Sequence, residues 1–238
     1  MSTTTPAPPH PGALLDPLAT SPTRSVLLVV GGVALTAALA RVSVPLPGTP
    51  VPVSGQSLAV VLTAACLGPA RGTAVQVAHL LGTLAGLPLD TDGEGGPGAL
   101  LGPTGGYVVG FVPAALLVGL AARRGADRGV GSALLLFTAG QGVVLAVGVP
   151  WLALSAGLTA REALRAGFLP FVPGALLKAA SGALLVRGAR RLVGLFPGAP
   201  DHRAGRGSPR SLAGATCRRP APARGTRRAR AAGTACGR

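Results

Sequence analysis

The sequence predicts an all-α integral membrane protein, a bundle of six transmembrane helices. Three observations carry this. Only 12% of its 238 residues are charged and 48% are hydrophobic, where a soluble domain carries about 25% charged residues. The mean hydropathy is +0.52. The apolar residues fall into six long runs, separated by segments rich in Pro, Gly or Arg. Backbone groups have no water to bond to in lipid, so such runs are read as helices. They lack the alternation of an outer-membrane strand.

The first run, 25–40, is uncharged and bracketed by Arg24 and Arg41. Runs 56–70 and 72–89 follow, interrupted by the sequence LGPARG. Run 103–122 opens on the glycine-rich turn LLGPTGGY. Run 129–158 holds no charge, and run 171–196 is apolar apart from Lys178 and a basic end. Several runs are shorter than the roughly 20 residues that cross a bilayer core, so tilt or polar extension is expected. Small residues four apart punctuate them: Ala34 with Ala38, Gly82 with Gly86, Gly106 with Gly110. Such pairs let helix backbones approach closely. They serve packing within the bundle or docking onto a membrane partner.

The net charge of +15 suggests a nucleic-acid partner until it is located. Residues 201–238 hold ten Arg and one acid, so most of the charge belongs to a tail. The chain therefore divides into an N-terminal segment 1–23, a membrane domain 24–196 and an Arg-rich tail 197–238. Both terminal segments are expected to be disordered and cytoplasmic, since neither can bury a core. Nucleic acid is excluded as the reading of the charge. With both termini inside, eight Arg of the membrane domain lie inside and three outside, as positive-inside bias requires. The segments 41–55, 88–102 and 159–170 then face outward. The first carries Pro45, Pro47, Pro50 and Pro52, which forbid regular helix and favour an extended hairpin-like excursion. The second carries Asp90, Asp92 and Glu94 among glycines; it either folds tightly over something or stays mobile. The third contains an amphipathic turn around Arg161, Glu162 and Arg165.

Lys178 is the only lysine, and it lies about two turns into the last run. A charge at that depth is costly and faces the bundle interior unless it snorkels to the interface. No acid lies within the membrane runs, so the carboxylate of a ligand is its natural partner. Gln56 opens the second helix beside the proline segment. Tyr107 and Trp151 are the only Tyr and Trp, candidates for interface anchors or for ligand walls. His79, Gln76 and Gln141 read as interhelical hydrogen-bond partners. No P-loop, HExxH or Ser-His-Asp set appears, so transport or binding without chemistry fits better than an enzyme. No cofactor is called for.

VPLPGTPVPVSGQSL at 44–58, LGPARG at 67–72, AGLP at 85–88, GPTGGYVVGF at 102–111 and LPFVPGALLKAA at 169–180 occur in one order. In these motifs the chain resembles the BioY family, the biotin-specific substrate-binding (S) components of energy-coupling-factor (ECF) transporters. The resemblance covers about residues 26–192. It implies an ECF S-component bundle in the bacterial plasma membrane that binds biotin near the outer face. It also implies two kinds of partner, an intramembrane coupling (T) protein and two cytoplasmic ATPases. Ala34 and Ala38 match the positions that dock onto the coupling protein. Toppling of the S component, driven by ATP, would release biotin inside.

Within that resemblance, Lys178 would hold the biotin carboxylate, and Tyr107 and Trp151 would wall the apolar part. Ser54, Gln56 and the backbone of Thr104, Gly105 and Gly106 are the candidates for the ureido group. Two positions depart from the family pattern. PGDxxK is here PGALLK, so Ala175 stands where an acid is usual, on the helix face of Lys178. His79 replaces a tyrosine. The alternatives are an S component with altered ligand choice, motivated by Ala175, and a non-transporting membrane docking protein.

Overall fold

The computed structural model describes residues 14–15, 21–91 and 93–195. The segments expected to be disordered, 1–23 and 197–238, lie almost wholly outside the described residues.

Helix α1 (Pro22–Ala40) starts where Ser21 caps it: the Arg24 amide donates to Ser21 Oγ at 3.3 Å, and Pro22 occupies the first turn. Proline there loses no helical hydrogen bond. Only Gly32, Thr36 and Ala40 of α1 are buried, a narrow stripe along one face. A Cβ on Gly32 would lie 2.5 Å from Val75 Cγ2, so the absence of a side chain sets the approach of α1 to α2. After α1 the proline segment forms the expected hairpin. Strands β1 (Ser43–Val44) and β2 (Val53–Ser54) pair antiparallel, with Ser43 opposite Ser54.

Helix α2 (Gln56–Leu84) is folded back on itself at Gly68. The Gln76 amide donates to Thr63 Oγ1 at 3.2 Å, and Gln56 Nε2 lies 3.5 Å from His79 Nε2. In a continuous helix residues 56 and 79 would be about 34 Å apart at 1.5 Å per residue. Gly68 has φ 78 and ψ −179, a region essentially reserved for glycine. Pro69, which cannot donate to the preceding turn, starts the second arm. The arms 56–67 and 69–84 thus lie antiparallel, and Gly72 packs on Ala64. Gly86, paired above with Gly82, has φ 93 just past the end of α2. It stops the helix, and a Cβ there would point into open space.

Four further helices complete the bundle with a short α3 (Pro97–Leu101): α4 (Gly105–Arg123), α5 (Val130–Ser155), α6 (Ala160–Gly167) and α7 (Phe171–Leu195). Five helices among the described residues, α1, α2, α4, α5 and α7, are long and apolar enough to cross a membrane. The protein is a multi-pass membrane bundle. Its core joins Val60, Val61, Ala64, Val118, Phe137, Leu152 and Val186. Outward-facing Leu135, Leu154 and Leu177 are 73%, 83% and 69% exposed, the apolar exterior that lipid requires. At one end Arg190 pairs with the fully buried Asp127 carboxylate, tying α7 to the α4–α5 connection.

Helix α6 is the amphipathic turn expected around Glu162. Thr159 closes a capping box: its amide and hydroxyl donate to Glu162 Oε2 at 2.9 and 2.7 Å. These bonds from Thr159 hold the Glu162 carboxyl below its usual range. Its contribution is full above the unfolded value of about 4.3 and is lost as pH falls through the lower folded value. Amide protection over 160–167 is therefore expected to hold from pH 7 to about pH 5 and to decline as pH falls below the unfolded value. Glu162→Gln should flatten that profile in hydrogen exchange. An unchanged profile would count against the cap.

Candidate ligand-binding site

One cavity gathers most of the polar residues that the sequence singled out. Its empty space, open solvent at the mouth included, is about 540 Å³. It lies beneath the β1–β2 hairpin and the 88–102 segment, between α2, α4, α5 and α7. Val51, Tyr107, Phe111, Val144, Leu145 and Phe171 give it apolar walls.

Two polar sets line it. Lys178, half-buried on α7, donates from Nζ to Ser57 Oγ at 3.0 Å. Among the described residues it pairs with no carboxylate. The second set is built around Asp90. Gln56 Nε2 donates to Asp90 Oδ1 at 3.3 Å, and the Thr91 amide donates to the same oxygen at 2.8 Å. Thr104 Oγ1 reaches Asp90 Oδ2 at 3.4 Å. Gln56 Oε1 accepts from Ser54 Oγ at 3.2 Å and Thr91 Oγ1 at 3.1 Å. Gln56 and Ser57 are consecutive residues at the start of α2. Successive helical side chains diverge by about 100°, so this helix end serves both sets.

Ser54, Gln56, Thr104, Tyr107, Ala175 and Lys178 all line the cavity. Tyr107 supplies only its ring, stacked on Phe171 at 5.7 Å, because its hydroxyl donates to the Gly167 carbonyl at 3.0 Å. Trp151, Gly105 and Gly106 do not line the cavity, contrary to expectation. The Trp151 indole N–H donates to the Gly102 carbonyl at 3.0 Å. Gly106 is packed against that residue: a Cβ on it would lie 2.1 Å from Trp151 Cβ. A Cβ on Gly105 would meet the Leu100 carbonyl oxygen. These three shape the turn that carries Thr104 and Tyr107.

Gln141, read as a structural partner, also lines the cavity while donating to the Ser57 carbonyl at 3.1 Å. His79 is fully buried behind Gln56. Asp90, Thr91 and Ser57 were not anticipated. Asp90 lies outside the membrane runs in sequence, yet its residue is only 5% exposed. The 88–102 segment folds over the site: Arg41 donates to the Pro88 carbonyl, and the Gly96 amide donates to the Thr83 carbonyl at 2.6 Å. The signal available was an acid on a segment expected to cover the site, beside a lone lysine. Ala34 and Ala38 lie exposed on the outer face of α1.

Residues 11–195 match the profile of the BioY family. The chain is similar to the biotin transporter BioY of Rhodobacter capsulatus, 36% identical over 180 residues that cover 69% of this chain and 92% of that protein. It is 35% identical to the biotin transporter BioY of Thermotoga maritima over 168 residues, covering 71% and 92% of the two chains. It also resembles the crystal structure of the S-component for biotin from an ECF-type ABC transporter. That similarity has a TM-score of 0.64 at 27% identity, and covers 73% of this chain and 95% of the other.

Proposed function

The chain belongs to the BioY family, and from that premise we propose that it is the biotin-binding S component of an ECF-type uptake transporter. One observation carries the reading most directly. A cation without a carboxylate partner among the described residues, Lys178, shares an apolar-walled cavity with the polar set of Gln56, Asp90, Thr91 and Thr104. Biotin offers the complement: a carboxylate, an apolar chain and thioether ring, and a ureido group. The carboxylate belongs at Lys178, where a charge-assisted bond is strong. The ring and chain pack on Tyr107, Phe111 and Phe171. Ser54, Gln56 and Thr104 hold or orient the polar groups at the ureido end, with Trp151, Gly105 and Gly106 bracing the turn beneath.

We read the bundle as six-pass, each arm of α2 counting as one crossing, in a bacterial plasma membrane with both termini cytoplasmic. The domain limits 24–196 belong to the same reading. The hairpin and the 88–102 segment then close the outer face. Release inside is carried out with a T component and two cytoplasmic ATPases. Equilibrium binding to the detergent-purified protein tests the proposal. Saturable, tight binding of biotin is expected, and no saturable binding by folded protein would overturn it. Ala175 favours a second reading, altered ligand choice, which the same assay with biotin analogues separates.

Docking has its own test. Ala34 and Ala38 share an exposed face of α1 with Leu27, Gly31 and Leu35. Replacing both alanines with leucine is expected to abolish co-purification with coexpressed coupling protein and ATPases while leaving biotin binding unchanged. Undiminished co-purification would place the docking face elsewhere.

A further inference from the structure

We propose that Asp90 is the residue that recognises ureido N–H, and so fixes which way round the ligand lies in the cavity. This rests on the biotin-binding reading above. The argument is a count of donors and acceptors. Both lone-pair directions of Gln56 Oε1 are taken, by Ser54 and Thr91. The Gln56 amide N–H groups point at Asp90 Oδ1 and towards His79 Nε2. Asp90 Oδ1 receives the Gln56 amide at 3.3 Å and the Thr91 amide at 2.8 Å; the Thr91 hydroxyl lies 3.5 Å from it but is given to Gln56 Oε1 at 3.1 Å.

Asp90 Oδ2 receives only Thr104 Oγ1, at 3.4 Å, and that hydroxyl has a competing acceptor in the Ala99 carbonyl at 3.5 Å. A carboxylate offers about four acceptor sites. The spare capacity of this polar set is therefore an acceptor, on the oxygen that lacks a close partner. A ligand group seated there must donate. A ligand carboxylate there would face a buried carboxylate, which is repulsive in a poorly hydrated site. The same carboxylate is attracted to Lys178. The two sets thus sort the ends of the ligand: carboxylate to Lys178, N–H to Asp90.

The test uses the full chain in detergent and three ligands: biotin, and biotin methylated at either ureido nitrogen. The unmodified protein is expected to bind biotin at least about 10-fold more tightly than one of the methylated forms, since one hydrogen bond to a charged group is lost. In Asp90→Asn, the amide oxygen can keep the Thr91 and Gln56 bonds while its NH2 faces the ligand donor. Biotin affinity should fall about 10- to 100-fold, with the methylated ligand little changed, so that discrimination collapses. Equal losses for all ligands would mean that Asp90 only holds the 88–102 segment, and would overturn the proposal. An unmodified protein that binds all three ligands equally would overturn it without any variant. No biotin binding at all by the folded, unmodified protein would instead overturn the biotin reading.

Discussion

Lys178→Ala is expected to weaken biotin binding by about 100-fold or more. The lysine is half-buried on α7, bonded to Ser57 Oγ at 3.0 Å, and meets no carboxylate among the described residues. Holding a cation inside a membrane bundle costs free energy, which a bound carboxylate offsets. Truncating one partner of a buried charged pair costs about 2–5 kcal/mol, much of it from the stranded partner. At 1.4 kcal/mol per tenfold, that is a factor of about 30 to 4000. Two further measurements separate recognition from folding. Thermal stability without ligand should be unchanged or higher, since removing a half-buried charge that meets no carboxylate among the described residues relieves desolvation. Biotin amide, which has no carboxylate, should bind the unmodified protein weakly and lose little in Lys178→Ala. If the variant binds biotin as tightly as the unmodified protein, Lys178 does not hold the carboxylate.

Much of this was legible in the sequence because lipid imposes simple rules. Runs without charge gave the membrane helices, and four prolines between positions 45 and 52 gave the hairpin. Depth alone marked Lys178. Gln56 and Tyr107 stand out because each sits where a helix begins beneath an outer segment, whereas Ser54 and Thr104 came with the family resemblance, Thr104 for its backbone and not for the hydroxyl that meets Asp90. What stayed hidden depends on closure in three dimensions. Asp90 lies outside the membrane runs, on a glycine-rich segment whose sequence allows tight folding and mobility alike. Its burial is set by distant contacts, Arg41 with Pro88 and Gly96 with Thr83, which no local pattern encodes. Trp151 failed for a related reason. An indole has one N–H, and its only acceptor here is the carbonyl of Gly102, 49 positions away, so its role is bracing. The runs 56–70 and 72–89 meet at LGPARG, and the structure breaks within that motif at Gly68. Yet only the hydrogen bonds between 56 and 79 and between 63 and 76 reveal that their arms pack on each other.

That reversal makes the second large effect steric. Gly119 on α4 sits against the turn of α2: a Cβ there would lie 2.6 Å from Pro69 Cα, 2.8 Å from Pro69 N and 3.0 Å from the Gly68 carbonyl carbon. All three are backbone atoms, so no rotamer change relieves the clash. Gly68 itself is held at φ 78, which leaves the turn little freedom to yield. Overpacking of this kind costs about 1–3 kcal/mol, more where the backbone must move. Gly119→Ala is therefore expected to lower the melting temperature of the purified protein by about 5 °C or more. The same chemical change at Gly142 has the opposite expected sign. Gly142 lies exposed within α5, and a Cβ there meets nothing within 4 Å. Alanine gains about 1 kcal/mol over glycine in a helix interior, so Gly142→Ala should leave the melting temperature unchanged or raise it by a few degrees. A thermal-shift series on the two variants decides the matter. Equal shifts would mean that helix propensity governs both sites. Opposite shifts would mean that the approach of α4 to the folded-back turn depends on an absent methyl group.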